Sequence, residues 1–338
     1  MTPPQQAAAF IAAGAALGLT RQELLAVLQE DAQTPTSEIP TVGEYTPKVA
    51  AASRAGSVRT YGTYWTKFEA TFGARRLDEF TTTDLRQFIE EVRMQSRRRR
   101  NSVDGAGAAE NAIGALRRLF TCAVDDGYLT TNPAQELDKP ARHPSIRRAL
   151  SDDEITALAH ATQTRSKDSA LDLLLMRFHL ESGARRGGAL ALTGTDLDHT
   201  HARVRLHEKG GTALWQPVSP TLVAALATHA ATRGTGSPQD PVLYLRNGRP
   251  LPSRHYDTRY RYWRRECPWA DTNMVSAHWL RHTTATKIER KFGRAVAHRF
   301  LRHSGGDVTH IYVKATEGDL ARAVEWLTGE THPLSSHD

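Results

Sequence analysis

His278-Trp279-Leu280-Arg281-His282-Thr283, followed by Leu301-Arg302-His303 and by Tyr312 nine residues beyond that histidine, is the stretch on which the reading of this chain turns. A histidine and an arginine three apart lie on one side of a helix. Tyr312 stands between Ile311 and Val313 and could equally be a core tyrosine with its hydroxyl at the surface. His278 and His282 are four apart, as two zinc ligands on a helix would be. However, Trp279 occupies the place where a metalloprotease motif needs its glutamate, and Arg281 would repel a cation. No metal site is expected.

Two upstream segments extend the pattern. Ser182-Gly183-Ala184-Arg185 ends a helical stretch and presents an arginine at the turn, and Lys209-Gly210-Gly211 sits between two alternating segments that read as a β-hairpin. By default the first is a helix end with cations against its dipole, and the second a solvated turn lysine. Phosphoryl transfer on DNA without a metal needs fixed cations for the non-bridging oxygens, a nucleophile, and an acid for the departing sugar oxygen. Arginine's planar fork meets two such oxygens at once. The chain has neither a GxxxxGK[ST] loop nor a GxGxxG after a strand, so nucleotide-driven chemistry lacks its phosphate cradle.

Taken in order, the serine-glycine-x-arginine turn, lysine hairpin, HxxR, leucine-x-histidine and tyrosine resemble the tyrosine site-specific recombinases, which include phage integrases and Xer-type enzymes. The resemblance runs from about Val58 to Leu327 and includes Gly127-Tyr128-Leu129-Thr130-Thr131-Asn132-Pro133-Ala134, similar to the family's glycine-x-x-x-x-asparagine-proline closing signature. It implies six catalytic positions: Arg185, Lys209, His278, Arg281, His303 and the nucleophile Tyr312. It implies a 3′-phosphotyrosyl intermediate with no cofactor, double-stranded DNA as partner, and a homo-tetramer acting on two duplexes. Three departures stand out. Gly188 replaces the acid often found three after the first arginine, Arg186 could exchange roles with Arg185, and Arg302 replaces a glycine, adding charge near the phosphate or pointing to solvent. A type IB topoisomerase, or a non-catalytic DNA-binding accessory protein, are the competing readings.

Composition agrees with a polyanion partner. The 338 residues carry 44 Lys and Arg against 37 acids, with a formal charge of +7. Residues 1–44 hold one arginine against five acids, whereas residues 45–150 hold eighteen Lys and Arg against twelve acids. An acidic leader on a basic body predicts a protein contact through residues 1–44 and DNA contacts by the body. The candidate phosphate ligands are Arg97, Arg98, Arg99 and Arg100, with Arg147 and Arg148. No apolar run approaches the roughly 20 residues that span a bilayer. The stretch Ala7–Leu19 is too short and has no preceding basic residues for a signal peptide. Together these predict a cytoplasmic protein, and the resemblance implies a bacterial or phage-encoded, nucleoid-associated one. Cys122 and Cys267, far apart, suit neither a disulfide framework nor a zinc knuckle.

The expected fold is mainly α with a small β-sheet, in two domains. Residues 1–49 read as a leader with helices over Gln5–Leu17 and after the Thr20/Glu23 capping box, then a linker from Asp31 to Val49 rich in Pro, Thr and Glu. Stripes at Tyr61, Trp65, Phe68 and Phe72, at Leu85, Phe88, Ile89 and Val92, and at Ile113, Leu116, Phe120 and Val124 predict a helical bundle over 50–138. A basic linker (139–149) precedes the second domain (150–328), and residues 329–338 are expected to form a flexible tail. That domain opens with a Ser151/Glu154 capping box and carries a helix over Ser169–Glu181. A hairpin follows with Val204, Leu206, Leu214 and Val218 on its apolar side, then a short strand at Val242–Leu245. A final stripe, Leu320, Val324 and Leu327, is suited to packing on its own domain or on a neighbouring protomer. By resemblance, the first domain is the SAM-like core-binding domain and the second the catalytic domain of a C-shaped DNA clamp.

Overall fold

The computed structural model describes residues 38–96, 104–141, 147–207, 211–302 and 315–335, together with Gly18 and Thr20. The expected leader helices, the Arg97–Arg100 run, Lys209, His303 and Tyr312 lie outside the described residues. The chain divides into two compact units, Met1–His143 and Pro144–Asp338.

The described part of the first unit is a bundle of α1 (Val42–Ala51), α2 (Ala55–Phe72), α3 (Thr82–Gln95) and α4 (Ala106–Asp125). Helix α1 corrects the expected linker, which should have run to Val49. The Thr41 hydroxyl accepts from the Glu44 amide, and the Glu44 carboxylate accepts from the Thr41 amide at 2.9 Å. Val42, Tyr45 and Val49 then fall on one helical face and are buried in the bundle core. Pro47 inside the helix and the proline- and threonine-rich flank hide that period in the sequence. Phe68 sits at the centre, its ring 5.2 Å from Phe72, 5.1 Å from Phe80 and 5.0 Å from Phe88. The stripes on α2, α3 and α4 meet there because only their apolar faces can leave water together.

The Asn132-Pro133 signature has a mechanical role. Asn132 Nδ2 donates to Arg117 O at 3.1 Å and to Thr121 Oγ1 at 2.9 Å, and its Oδ1 accepts from the Ala134 amide at 2.8 Å. Arg117 in turn donates to the carbonyls of Ala134, Gln135 and Leu137. The asparagine thus folds the chain leaving α4 back onto that helix and satisfies the backbone groups of the turn.

The second unit contains α5 (Asp152–Arg165), α6 (Ser169–Ser182), α7 (Arg186–Leu190) and a three-stranded antiparallel sheet in the order β1 (Leu197–Asp198), β2 (Arg203–His207), β3 (Ala213–Pro217). There follow α8 (Pro220–Arg233), α9 (His255–Glu266), α10 (Pro268–Thr272), α11 (Ala277–Phe300) and α12 (Glu317–Thr328). Helix α6 packs against α5 and α11. Helix α11 is interrupted at Gly293, whose φ of 83° and ψ of 171° suit glycine alone.

Two expectations for this unit are corrected. Val242–Leu245 forms no strand. Val242, Leu243 and Tyr244 are consecutively buried, and the backbone makes only isolated bridges, Thr193 to Pro241 and Tyr244 to Pro250. Proline at 241 and 250 removes the donors that a ladder would need. In the hairpin, Leu214 is 43% exposed, and the fully buried place on that face goes to Gln216. The stripe on α12 is covered within the unit: Leu320, Ala323 and Val324 pack with Ile288, Val296 and Phe300. No helix among the described residues is long and apolar enough to cross a membrane.

Candidate active site

Helix α6 ends at Gly183, which takes a left-handed φ of 58°. The Ser182 hydroxyl donates to Phe178 O and accepts from the Ala184 amide at 3.1 Å, closing a tight turn. A Cβ on residue 183 would meet Leu301 Cδ2 at 3.2 Å, so this turn and the end of α11 are in close contact. The backbone then emerges, and Arg185, exposed, stands at the N-cap of α7.

His179, buried one turn earlier, supports this arrangement. Its Nδ1 lies 2.9 Å from Ala184 O and its Nε2 2.9 Å from the Tyr256 hydroxyl. A carbonyl can only accept, so Nδ1 carries the proton and Nε2 accepts from the tyrosine. Burial, and then the charges of Arg259 and Arg281, push the imidazole down to about 3 from an ordinary 6.5. Between those values the folded chain binds fewer protons at this site than the unfolded chain. Stability from this group is therefore complete above pH 6.5 and is lost as pH falls toward 3. His179→Gln is expected to flatten the acid limb of the unfolding free energy by up to about 1.4 kcal/mol per pH unit. Urea unfolding of the full chain across that window checks it, and an unchanged slope would contradict it.

Helix α11 supplies the next two residues. His278 is exposed in its first turn, and Arg281, one turn on, is only 3% exposed. The Arg281 guanidinium donates to Gly183 O and, at 2.6 Å, to Leu301 O. A single side chain thereby ties the turn that carries Arg185 to the turn that leads into His303. The imidazole of His278 is held below its ordinary range by partial desolvation and then by Arg147, Arg281, His282 and Arg185. The described part of the site therefore brings Arg185, His278 and Arg281 into one positive field, with Arg147 beside them. Arg186 lies 3.7 Å from Asp257. Arg148 is engaged by Glu154 at 2.5 Å, so of the two linker arginines it is Arg147 whose charge reaches the site.

The hairpin that bears Lys209 is anchored at its base. The fully buried Asp196 accepts from Arg205 Nε at 2.8 Å and lies 3.1 Å from His207 Nε2. Arg302 is buried, which corrects the solvent-facing one of its two expected placements. It sits at a left-handed φ of 53° and directs its guanidinium inward to Ser182 O, Gly183 O, Phe300 O and Gln216 Oε1. Sequence reasoning missed His179, Tyr256 and Gln216. The one available signal was a histidine on the apolar side of α6, four residues before its glycine stop.

The phage integrase family model matches residues 148–318, half of the chain. The tyrosine recombinase XerC of Chromobacterium violaceum is 25% identical over 255 residues, covering 75% of this chain and 82% of that protein. The tyrosine recombinase XerD of Mycobacterium leprae is 26% identical over 301 residues, covering 84% and 92%. Among solved structures, a lambda integrase tetramer bound to a Holliday junction matches with a TM-score of 0.60 at 16% identity, covering 85% of this chain and 81% of that one. With that family match lying within the second unit, this chain belongs to the phage integrase family of tyrosine recombinases.

Proposed function

We propose that this recombinase exchanges DNA strands at specific sites, with Tyr312 as nucleophile and Arg185, Lys209, His278, Arg281 and His303 as its catalytic partners. The observation that carries the assignment is the Arg281 guanidinium, which joins the Arg185 turn to the Leu301 turn while lying in the same positive field as His278. Arg185 and Arg281 hold the non-bridging oxygens of the scissile phosphate, and His303 donates a further hydrogen bond.

The ordinary phenol pKa is near 10, so Tyr312 must lose its proton as it attacks. His278 is neutral at pH 7 because its surroundings disfavour the charged form, and a neutral imidazole can accept that proton. The Tyr312 oxygen bonds to phosphorus, the P–O5′ bond breaks, and its electron pair leaves on O5′, which takes a proton from Lys209. The products are a 3′-phosphotyrosyl ester and a 5′ hydroxyl. One phosphodiester replaces another, so the reverse step rejoins strands without a nucleoside triphosphate or a metal.

Arg147 and the Arg97–Arg100 run are suited to DNA phosphates; Arg148 would first have to leave Glu154. The acting species is a homo-tetramer on two duplexes, supported by the arrangement named for the lambda integrase structure. The acidic leader, residues 1–44, makes a protein contact, and the role that fits a leader of this kind is integration or excision of a mobile element. The test is a nicked suicide duplex carrying the recognition site, incubated with the full chain in chelator and without nucleotide. A covalent protein–DNA band is expected; a band that needs added metal, or none at all, would refute the chemistry.

A further inference from the structure

Arg302 breaks a backbone preference. Its φ of 53° lies in the left-handed region, where a Cβ is disfavoured and glycine is the natural occupant. An arginine kept there must be held by its side chain. Its guanidinium is in contact with three segments at once: Ser182 O at 3.2 Å and Gly183 O at 3.3 Å at the end of α6, Phe300 O at 2.8 Å at the end of α11, and Gln216 Oε1 on β3. Gln216 is itself fully buried, on a face where an apolar residue would otherwise pack, and its amide nitrogen is turned to Pro217 O.

Each of those segments leads to a residue of the proposed site. Ser182-Gly183 leads to Arg185, Phe300 to His303, and β3 is one strand of the hairpin whose turn holds Lys209. Arg281 ties the first two of these segments, but only Arg302, among the described contacts, reaches the hairpin as well. We infer that Arg302 is a positioning residue, which with Gln216 sets the mutual placement of the Arg185 turn, the Lys209 hairpin and the His303 turn. It touches no reacting atom in this account. The inference rests on the recombinase reading of the site.

The test compares Arg302→Gly with the wild-type chain on the suicide duplex. Glycine relieves the backbone but also takes the guanidinium from Gln216 Oε1 and from the carbonyls of Ser182, Gly183 and Phe300; the positioning role predicts that the fold is kept while catalysis suffers. The single-turnover cleavage rate should fall tenfold or more while DNA affinity stays within about twofold, because the phosphate ligands are retained. Guanidinium ion at millimolar concentration should restore part of the rate by occupying the vacated place, and methylammonium should not. Cleavage within about twofold of wild type, or a loss that guanidinium leaves unrepaired, overturns the role. Amide hydrogen exchange across residues 179–186 and 298–302 reads the placement without catalysis. Faster exchange in the glycine variant is expected, and unchanged exchange overturns the inference even if the wild-type chain forms no adduct.

Discussion

Arg281→Lys is expected to slow DNA strand cleavage by roughly two to three orders of magnitude while leaving DNA affinity within about tenfold. The substitution keeps the charge and removes the fork. Arg281 is buried with its guanidinium already donating to Gly183 O and Leu301 O, and the proposal asks it to hold a phosphate oxygen from the same plane. An ammonium is a point charge on a flexible stem, unable to span two carbonyls and an oxyanion in a fixed geometry. The Arg185 and Leu301 turns would then lose one of the ties between them as well as a phosphate contact. Single-turnover cleavage and gel-shift affinity, measured on the same duplex, separate the two effects. A lysine variant that cleaves at near the wild-type rate would show that the planar fork is not needed.

Tyr312→Phe should have the larger effect, abolishing the covalent adduct and lowering cleavage by at least about four orders of magnitude. The change removes one oxygen and no charge, so the phosphate contacts that dominate affinity remain. Duplex binding should therefore match the wild-type chain. Residual cleavage above the uncatalysed level, with an adduct still visible on a denaturing gel, would place the nucleophile elsewhere.

These residues were legible from sequence to different degrees, for physical reasons. The capping box at Ser151 and the glycine stop at Gly183 are local, set by hydrogen bonds within three or four residues, and the helices they bound stand where the pattern puts them. The Asn132 turn was visible only as a signature, because its partners Arg117 and Thr121 lie 15 and 11 positions earlier, on α4. Helix α1 was hidden by Pro47, and its Thr41/Glu44 capping box lies within the stretch read as linker. The buried run at Val242–Leu245 looked like a strand because hydropathy reports burial and not backbone pairing, and the prolines that prevent a ladder lie just outside the run.

Within the site, the proposed order of reacting groups comes from the sequence, whereas the contacts that support Arg185 and Arg281 do not. The contact of Arg186 with Asp257, some seventy positions away on α9, is likewise not encoded by spacing. The inward turn of Arg302 depends on Gln216 and on carbonyls at the end of α6, contacts that spacing along the chain does not encode.

The most direct measurement is the identity of the residue bonded to DNA. The full chain is trapped on a nicked suicide duplex, digested with protease and nuclease, and the nucleotide-bearing peptide is sequenced by mass spectrometry. The account predicts a 3′-phosphonucleotide on the phenolic oxygen of Tyr312, in the peptide that follows His303. A nucleotide on any other side chain, or on a 5′ phosphate, would contradict it.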